Sequence, residues 1–294
     1  MTALHLVDAS LYIFRAYHSL PPIQTPEGVP CGAAYGFGGM LVRWLGEVTP
    51  ARAACVFDDA MTSFRNALEP GYKAGRTEAP ADLEPQFALC REVAEALGLA
   101  ALSAPDFEAD DVIAALAEQE VGAGGSVVVV SADKDLAQLV REDGRVVVFD
   151  FARAQRLDAD AVRARFGVAP GQIPDWLGLV GDAVDNLPGV PGIGPRTAAA
   201  LLAAFGRIEA IPADASGWRS AQVRGADRLA RLVDQHRARA LRTRELATLR
   251  RDVPGLPREL GWRGPDPARI AALCERLGWR GFGDRALRLG ARTD

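Results

Sequence analysis

Short apolar runs that end at a polar or acidic residue recur through the first half of the chain. Residues 3–8 (ALHLVD) and 52–57 (RAACVF) each predict a short buried strand. Residues 126–131 (SVVVVS) form a continuous apolar run, which is typical of a parallel sheet covered on both faces. Residues 145–149 (RVVVF) predict a fourth strand.

Helical periodicity fills the segments between these strands. It covers residues 33–48 after Gly32, residues 84–97 before Gly98, and residues 108–121. Strands that alternate with helices predict an α/β fold with a parallel sheet. Ligand sites in such folds lie beyond the carboxyl ends of the strands.

After the fourth strand the pattern becomes helical, with frequent Gly and Pro. Helices are predicted near residues 174–181 and 196–205, and a tight GVPGIG turn at 189–194 joins them. A domain boundary near residue 165 would give an α/β domain at 1–165 and a helical domain at 166–294 packed against it.

The composition, 49% apolar and 24% charged in 294 residues, is ordinary for a soluble globular protein. No apolar run is long enough to span a membrane, and the N-terminus is too short and polar for a signal peptide. We therefore expect a cytoplasmic protein that does not contact membranes. The four cysteines are far apart and their spacing does not indicate zinc, which predicts unreactive thiols at Cys31, Cys55, Cys90 and Cys274.

The net charge of −4 is unevenly distributed. Residues 218–294 hold 18 Arg and 9 acidic residues, a balance of +9, so residues 1–217 carry −13. A basic C-terminal part is compatible with a polyanionic partner. A solvated helical surface is an equally good interpretation, because the chain uses Arg almost everywhere and has only two lysines among its 34 basic residues.

Nine acidic residues form five clusters, LVDAS, CVFDD, FEADDVI, SADKD and GDAVDN. They are Asp8, Asp58, Glu108, Asp110, Asp111, Asp133, Asp135, Asp182 and Asp185. Several follow predicted strands, so they should meet at one edge of the sheet. We expect no Lys or Arg partners for them, and carboxylates that converge in this way repel one another unless divalent cations bind them.

Each cluster alone also has a simpler interpretation. Glu108, Asp110 and Asp111 could complement a helix dipole, or they could fan across two ions. The SADKD acids could cap a helix at Leu136, or a turn could point both acids inward and Lys134 outward. The GDAVDN acids could cap the next segment. Five such clusters together favour a metal site.

Oxygen ligands alone favour Mg²⁺ or Mn²⁺ over zinc. Two such ions are a common device for hydrolysis of a phosphodiester: one generates the attacking hydroxide and the other stabilises the leaving 3′ oxygen. The sequence contains no Ser/His/Asp set and no P-loop motif, which argues against acyl transfer and against a P-loop ATPase. The segment GVPGIGPRTAAALL adds a small-residue turn before a helix N-terminus, which suits a phosphate.

The ordered motifs LVDAS, VFDD, YKAGR, FEADDVI, SADKDLAQLV and GDAVDNLPGVPGIGPRTA resemble the 5′-nuclease superfamily, over roughly residues 3–255. This superfamily contains flap endonucleases and the 5′→3′ exonuclease domain of bacterial DNA polymerase I. The resemblance implies a PIN-like α/β domain followed by a helix-two-turn-helix motif at about 174–205 that grips duplex DNA. It also predicts a free-standing member, similar to exonuclease IX-type flap endonucleases.

The resemblance implies a first metal site at Asp8, Asp58, Glu108 and Asp110. It implies a second at Asp133, Asp135 and Asp182. Asp110 would bridge the two ions, and Asp111 and Asp185 also match acids of the family. Exonuclease IX-like proteins lack part of the second site, whereas this chain keeps it, which favours full two-metal activity.

The family also has a helical arch over the active site, which would correspond to residues 60–80. Lys73 and Arg76 would contact the scissile phosphate there, and Tyr72 would stack on a terminal base. DNA phosphate would also lie against a turn and helix start formed by Gly192, Ile193, Gly194, Pro195, Arg196 and Thr197. Arg196 replaces the lysine that is common in the family.

A potassium ion binds main-chain carbonyls in the helix-two-turn-helix motif of this family. The matching positions here are Leu179, Val180, Pro188, Val190 and Ile193.

The sequence thus predicts a metal-dependent 5′→3′ exonuclease or 5′-flap endonuclease that acts in DNA replication or repair as a monomer. Its substrates would be DNA with 5′ flaps or 5′ ends, or duplexes that carry an RNA primer. Two alternatives remain: a non-catalytic protein that binds DNA structures on the same fold, and a PIN-type ribonuclease. The intact acid set argues against the first, and the GVPGIG segment argues against the second.

Overall fold

A computed structural model describes residues 2–60, 62–75 and 80–290. Its centre is a sheet of six strands: β1 (Leu4–Asp8), β2 (Arg52–Val56), β3 (Ala100–Leu102), β4 (Val127–Val130), β5 (Val146–Asp150) and β6 (Gln155–Leu157). The strand order is β3-β2-β1-β4-β5-β6, and only β6 runs antiparallel to its neighbour. The four predicted strands and the parallel α/β fold are confirmed.

Six helices accompany the sheet: α1 (Ala9–Ser19), α2 (Gly32–Val48), α3 (Phe64–Leu68), α4 (Glu84–Ala96), α5 (Ala109–Gly122) and α6 (Ala159–Phe166). Alternation along β1 divides the core into two layers. Leu4 and Leu6 join the layer that contains α5, whereas Val7 joins the layer that contains α2 and α4. Both faces are therefore covered, which explains why the strands are apolar throughout.

The second half is helical, as predicted. It contains α7 (Ile173–Val180), a two-stranded ribbon of β7 (Gly181–Asp182) and β8 (Leu187–Pro188), α8 (Pro195–Phe205), α9 (Ala226–Ala247), α10 (Pro267–Leu277) and α11 (Phe282–Leu287). Helices α7 to α9 share one continuous apolar core with α5 and the sheet. Helices α10 and α11 return to the opposite face, where Ile270 and Phe282 are fully buried.

Two glycines let the ribbon form directly after α7. Gly181 ends that helix with φ of +83°, a conformation that side chains rarely adopt. A Cβ on Gly189 would lie 2.3 Å from the carbonyl oxygen of Val180, so only glycine permits this approach. The ribbon thereby places the GDAVDN acids close to the sheet. Within the described residues, no helix combines the length and the apolar character that a membrane span requires.

Candidate functional site

A cavity of about 160 Å³ lies where the carboxyl ends of β1, β2 and β4 meet the start of α5. Seven of the nine predicted acids line it: Asp8, Asp58, Glu108, Asp110, Asp133, Asp135 and Asp185. The lining also includes Lys73 and three residues at and after the end of α9, Leu246, Ala247 and Leu249. The helical half therefore closes one wall of a site whose acids come mostly from the sheet.

Local structure fixes the acids on the first side of the cavity. Asp8 ends β1 and caps α1, where it accepts a hydrogen bond from the backbone N–H of Leu11 at 3.3 Å. Its other oxygen accepts from the Ser131 hydroxyl at 2.8 Å. Asp58, just after β2, accepts from the N–H of Ala109 at 2.9 Å, which ties it to the first turn of α5 beside Asp110.

A second group of acids could hold a cation. Asp135, Asp182 and Asp185 each offer an oxygen, and these atoms lie within 4.8 Å of one another. Asp135 Oδ1 is buried and has no hydrogen-bond partner in the described part of the chain. A buried carboxylate oxygen without a partner is costly unless a cation or donor approaches it. This donor set therefore fits a hard divalent ion.

The acids in the cavity disturb one another strongly. Burial, reinforced by the charges of Asp133 and Asp58 and opposed by the Ser131 hydroxyl, raises the pKa of Asp8 to about 7. Burial, together with Asp133, raises the pKa of Asp135 to about 8. The pKa of Asp110 rises well above its usual range for the same two reasons, burial first and then neighbouring carboxylates. The cavity therefore favours protons or cations over bare carboxylates.

This repulsion predicts a pH-dependent stability without divalent ions. Asp8 and Asp135 have higher pKa values in the folded than in the unfolded protein, so their contribution is most favourable at low pH and is lost as pH rises. Between about pH 6 and about pH 8, we expect Mg²⁺ to raise the melting temperature by a growing amount over EDTA. Thermal unfolding in Mg²⁺ and in EDTA measures this difference in melting temperature. In Asp135→Asn the difference should increase less with pH. A Mg²⁺ effect that shrinks with rising pH would contradict the prediction.

The expectation that the acids have no basic partners is wrong. Lys73 Nζ lies 2.7 Å from Glu108 Oε2, and Lys134 Nζ lies 2.6 Å from Asp182 Oδ2. Lys134 does not point outward, because the ribbon brings Asp182 directly against it. Burial lowers the pKa of Lys134, but the bond to Asp182 and the charges of Asp135, Asp182 and Asp133 together raise it above its usual range, so this lysine keeps its charge.

Asp111 is not available as a metal ligand, in contrast to the expectation. Its side chain is fully buried, and both oxygens bind the guanidinium of Arg65 at 2.6 and 2.8 Å. It also accepts from the N–H groups of Arg250 and Glu108. On α5, the residue next to Asp110 points about 100° away from it, into the core rather than the cavity.

The segment predicted as an arch lies against the site in its described part, residues 62–75. Tyr72 is only 3% exposed, and its hydroxyl lies 3.2 Å from both Glu108 and Asp185. Its ring is packed in the core, so the expected stacking on a base is wrong for this conformation. Arg76 and the rest of 76–79 lie outside the described residues.

Sequence reasoning missed several residues that shape the cavity. Ser63 donates to Glu108 at 2.9 Å, as Ser131 does to Asp8. The side-chain amide of Gln138 connects the Asp135 carbonyl with Ala247 at the end of α9. Ser131 and Gln138 lie inside the motif SADKDLAQLV and Ser63 lies in no quoted motif, but only the fold brings Ser63 to Glu108 and Gln138 to α9.

The predicted potassium and phosphate positions lie together in the second half. Leu179 O accepts from Val190 N, and Pro188 O accepts from the Thr243 hydroxyl, both at 2.8 Å. Each carbonyl keeps a second lone pair. Gly194 begins α8 without a side-chain cap, and Arg196 in its first turn is exposed. The N–H groups of that turn are thus open to an anion.

Two family models cover most of this chain. Residues 3–167 match the 5′-3′ exonuclease N-terminal resolvase-like domain, and residues 168–268 match the 5′-3′ exonuclease C-terminal SAM fold. The chain belongs to the 5′-3′ exonuclease family.

Curated relatives agree with this assignment. The chain is 37% identical to DNA polymerase I of Bacillus caldotenax over 95% of its own length, but it spans about a third (32%) of that relative. It is 39% identical to the 5′-3′ exonuclease of Aquifex aeolicus, with 72% of each chain covered.

Solved structures share the fold. The zinc-bound 5′-exonuclease of bacteriophage T5 superposes with a TM-score of 0.66 at 19% identity, and covers 99% of this chain and 100% of its own. The catalytic core of Rad2 in complex with DNA substrate superposes with a TM-score of 0.64 at 17% identity, with 98% and 92% covered. At these identities the likeness concerns the fold alone.

Proposed function

We propose that this protein is a metal-dependent 5′→3′ exonuclease and 5′-flap endonuclease that hydrolyses DNA phosphodiesters. The observation that carries the proposal is the cavity at the strand ends, which seven carboxylates share with Lys73. Such a cavity repels a polyanion unless cations fill it, and divalent cations together with a phosphate complete its charge balance.

Two Mg²⁺ or Mn²⁺ ions would bind this cavity. Asp8, Asp58, Glu108 and Asp110 would hold the first, and Asp133, Asp135, Asp182 and Asp185 the second. The bound ions would supply an activated water and charge stabilisation at the leaving oxygen. Cleavage would leave a 5′-phosphate and a 3′-hydroxyl.

The protein's own residues would orient the substrate. Lys73, at the rim of the cavity, would exchange Glu108 for the scissile phosphate, and Arg76 would assist it. The apolar wall of Leu246, Ala247 and Leu249 would restrict water at the reacting phosphorus.

The helical half would grip duplex DNA. Phosphate would lie against the turn and helix start at residues 192–197, where the N–H groups of Arg196 and Thr197 begin α8. A potassium ion at the carbonyls of Leu179, Val180, Pro188, Val190 and Ile193 would neutralise it. The Rad2 and T5 structures with DNA support a DNA substrate for this fold. Duplex affinity should be higher in KCl than in NaCl at equal ionic strength, and equal affinities would count against the potassium site.

One assay tests the proposed activity against its alternatives. The protein is incubated with end-labelled 5′-flap DNA and with an RNA of the same sequence, in Mg²⁺ or in EDTA. We expect Mg²⁺-dependent cleavage of the DNA. Tight binding without cleavage would identify a DNA-structure binder, and preferential cleavage of the RNA would identify a ribonuclease. The protein would act in DNA replication or repair as a monomer.

A further inference from the structure

Lysine is rare in this chain, and both lysines lie at the candidate metal sites. Of 34 basic residues only Lys73 and Lys134 are lysines. Lys73 binds Glu108 of the first site, and Lys134 binds Asp182 of the second. Elsewhere the described ion pairs use arginine, including the fully buried pair of Arg65 and Asp111. A chain that otherwise selects arginine thus places an ammonium group at each site.

Arginine and lysine differ in how firmly they hold a carboxylate. A guanidinium is a planar fork that binds both oxygens at once, as Arg65 does at 2.6 and 2.8 Å. An ammonium is a compact charge on a flexible stem that binds one oxygen at a time. An incoming ion therefore displaces a lysine more readily than an arginine.

Lys134 pairs with Asp182, a member of the acid group that could hold a cation. Asp182 Oδ1 accepts from the N–H of Val184 at 3.0 Å and Oδ2 accepts from Lys134 Nζ at 2.6 Å, so each oxygen already has a donor. The backbone N–H is fixed between β7 and β8, so the lysine is the donor that a cation can replace. The Asp182 side chain is 4% exposed, but that of Lys134 is 33% exposed, so the lysine has room to swing outward.

We propose that Lys134 is a displaceable counter-ion, which holds Asp182 in the metal-free protein and yields it when the second divalent ion binds. This inference rests on the proposed two-ion function. Within the described residues no salt bridge reaches Asp8, Asp58 or Asp110, but Glu108 of the first site is paired with Lys73 as Asp182 of the second is paired with Lys134. The second ion therefore binds only as it displaces Lys134, and Lys134 sets the metal concentration at which the second site fills.

Binding of Mn²⁺ to the DNA-free protein, followed by calorimetry, tests this inference. For Lys134→Met we expect the second ion to bind about tenfold more tightly, the lower end of what a charge-assisted hydrogen bond contributes. For Lys134→Arg we expect weaker binding of the second ion than in the wild type, because the fork grips both oxygens of Asp182. The affinity for the first ion should change less than about twofold in either variant.

Lys134→Arg separates displacement from a general field effect, because it keeps the charge. Equal affinities for Lys134→Arg and wild type, or tightening of both ions by Lys134→Met, would overturn the inference. Arg258→Met is the matched control: it removes the same charge near Arg52, at the opposite edge of the sheet, and should leave both ions unaffected.

Stoichiometry distinguishes failure of the inference from failure of the proposed function. One ion in the wild type and two in Lys134→Met would support the inference. If the wild type and Lys134→Met each bind two ions with the same dissociation constants, the inference is wrong but the two-ion function stands. No second ion in either protein would overturn both the inference and the two-ion function.

Discussion

Asp110→Asn should reduce Mg²⁺-dependent cleavage of flap DNA by at least about 10³-fold, because one neutral amide replaces the proposed bridge between two ions. Asp110 lines the cavity, and burial together with Asp133, Asp8 and Asp58 raises its pKa. Single-turnover cleavage with saturating enzyme measures the chemical step without product release.

Folding and DNA binding should survive this change. Removal of one charge from a repelling set should make Asp110→Asn more stable than the wild type in EDTA, and flap affinity in EDTA should not fall. Thermal unfolding and fluorescence anisotropy check these two points. Asp160→Asn, whose side chain is 98% exposed on α6, is the matched control and should cleave like the wild type. Cleavage by Asp110→Asn within tenfold of the wild type would refute the site assignment.

The second large effect concerns the ion pair between Arg65 and Asp111. Arg65→Met should lower the free energy of unfolding by about 3–5 kcal/mol, because it leaves the buried Asp111 carboxylate without its counter-charge. Arg65 is 1% exposed, and its Nε also donates to the carbonyl of Leu246 at 2.7 Å, so the pair joins the arch segment, α5 and the end of α9. Urea unfolding at neutral pH measures the loss.

Two further variants identify the cause. Arg65→Met combined with Asp111→Leu should recover much of the loss, because no charge then remains buried. Arg163→Met, which breaks a solvent-exposed pair with Glu142, should leave the urea midpoint of unfolding almost unchanged. Asp111→Asn should destabilise the protein but leave Mg²⁺ affinity within about twofold. A clear loss of Mg²⁺ affinity would restore Asp111 as a metal ligand.

The arch segment illustrates how sequence and structure differ. The YKAGR motif drew attention to Tyr72 and Lys73 in the segment predicted as an arch. It did not show that Arg65 and Tyr72 are buried side chains that line the cavity together with Lys73. Their partners lie far along the chain: 46 residues separate Arg65 from Asp111, and 113 separate Tyr72 from Asp185.

The missed elements have local causes. Strands β3 and β6 have three residues each, too few for a periodicity to be recognised. Helix α1 follows β1 without a loop, so Asp8 is both the last residue of a strand and the cap of a helix. Helices α2, α4 and α5 were predicted because a long apolar face repeats in each.

The sequence by itself determined the parallel α/β fold, the strand ends that carry acids, and the family. Strand identity depends on local apolar pattern, and the carboxyl ends of parallel strands meet at one edge, so Asp8 and Asp58 could be placed without coordinates. Only the tertiary structure decided which acids meet a basic side chain. Asp111 pairs with Arg65 in the core and Asp182 with Lys134 beside the cavity, because side-chain direction and long-range packing, rather than spacing along the chain, select the partner of a charge.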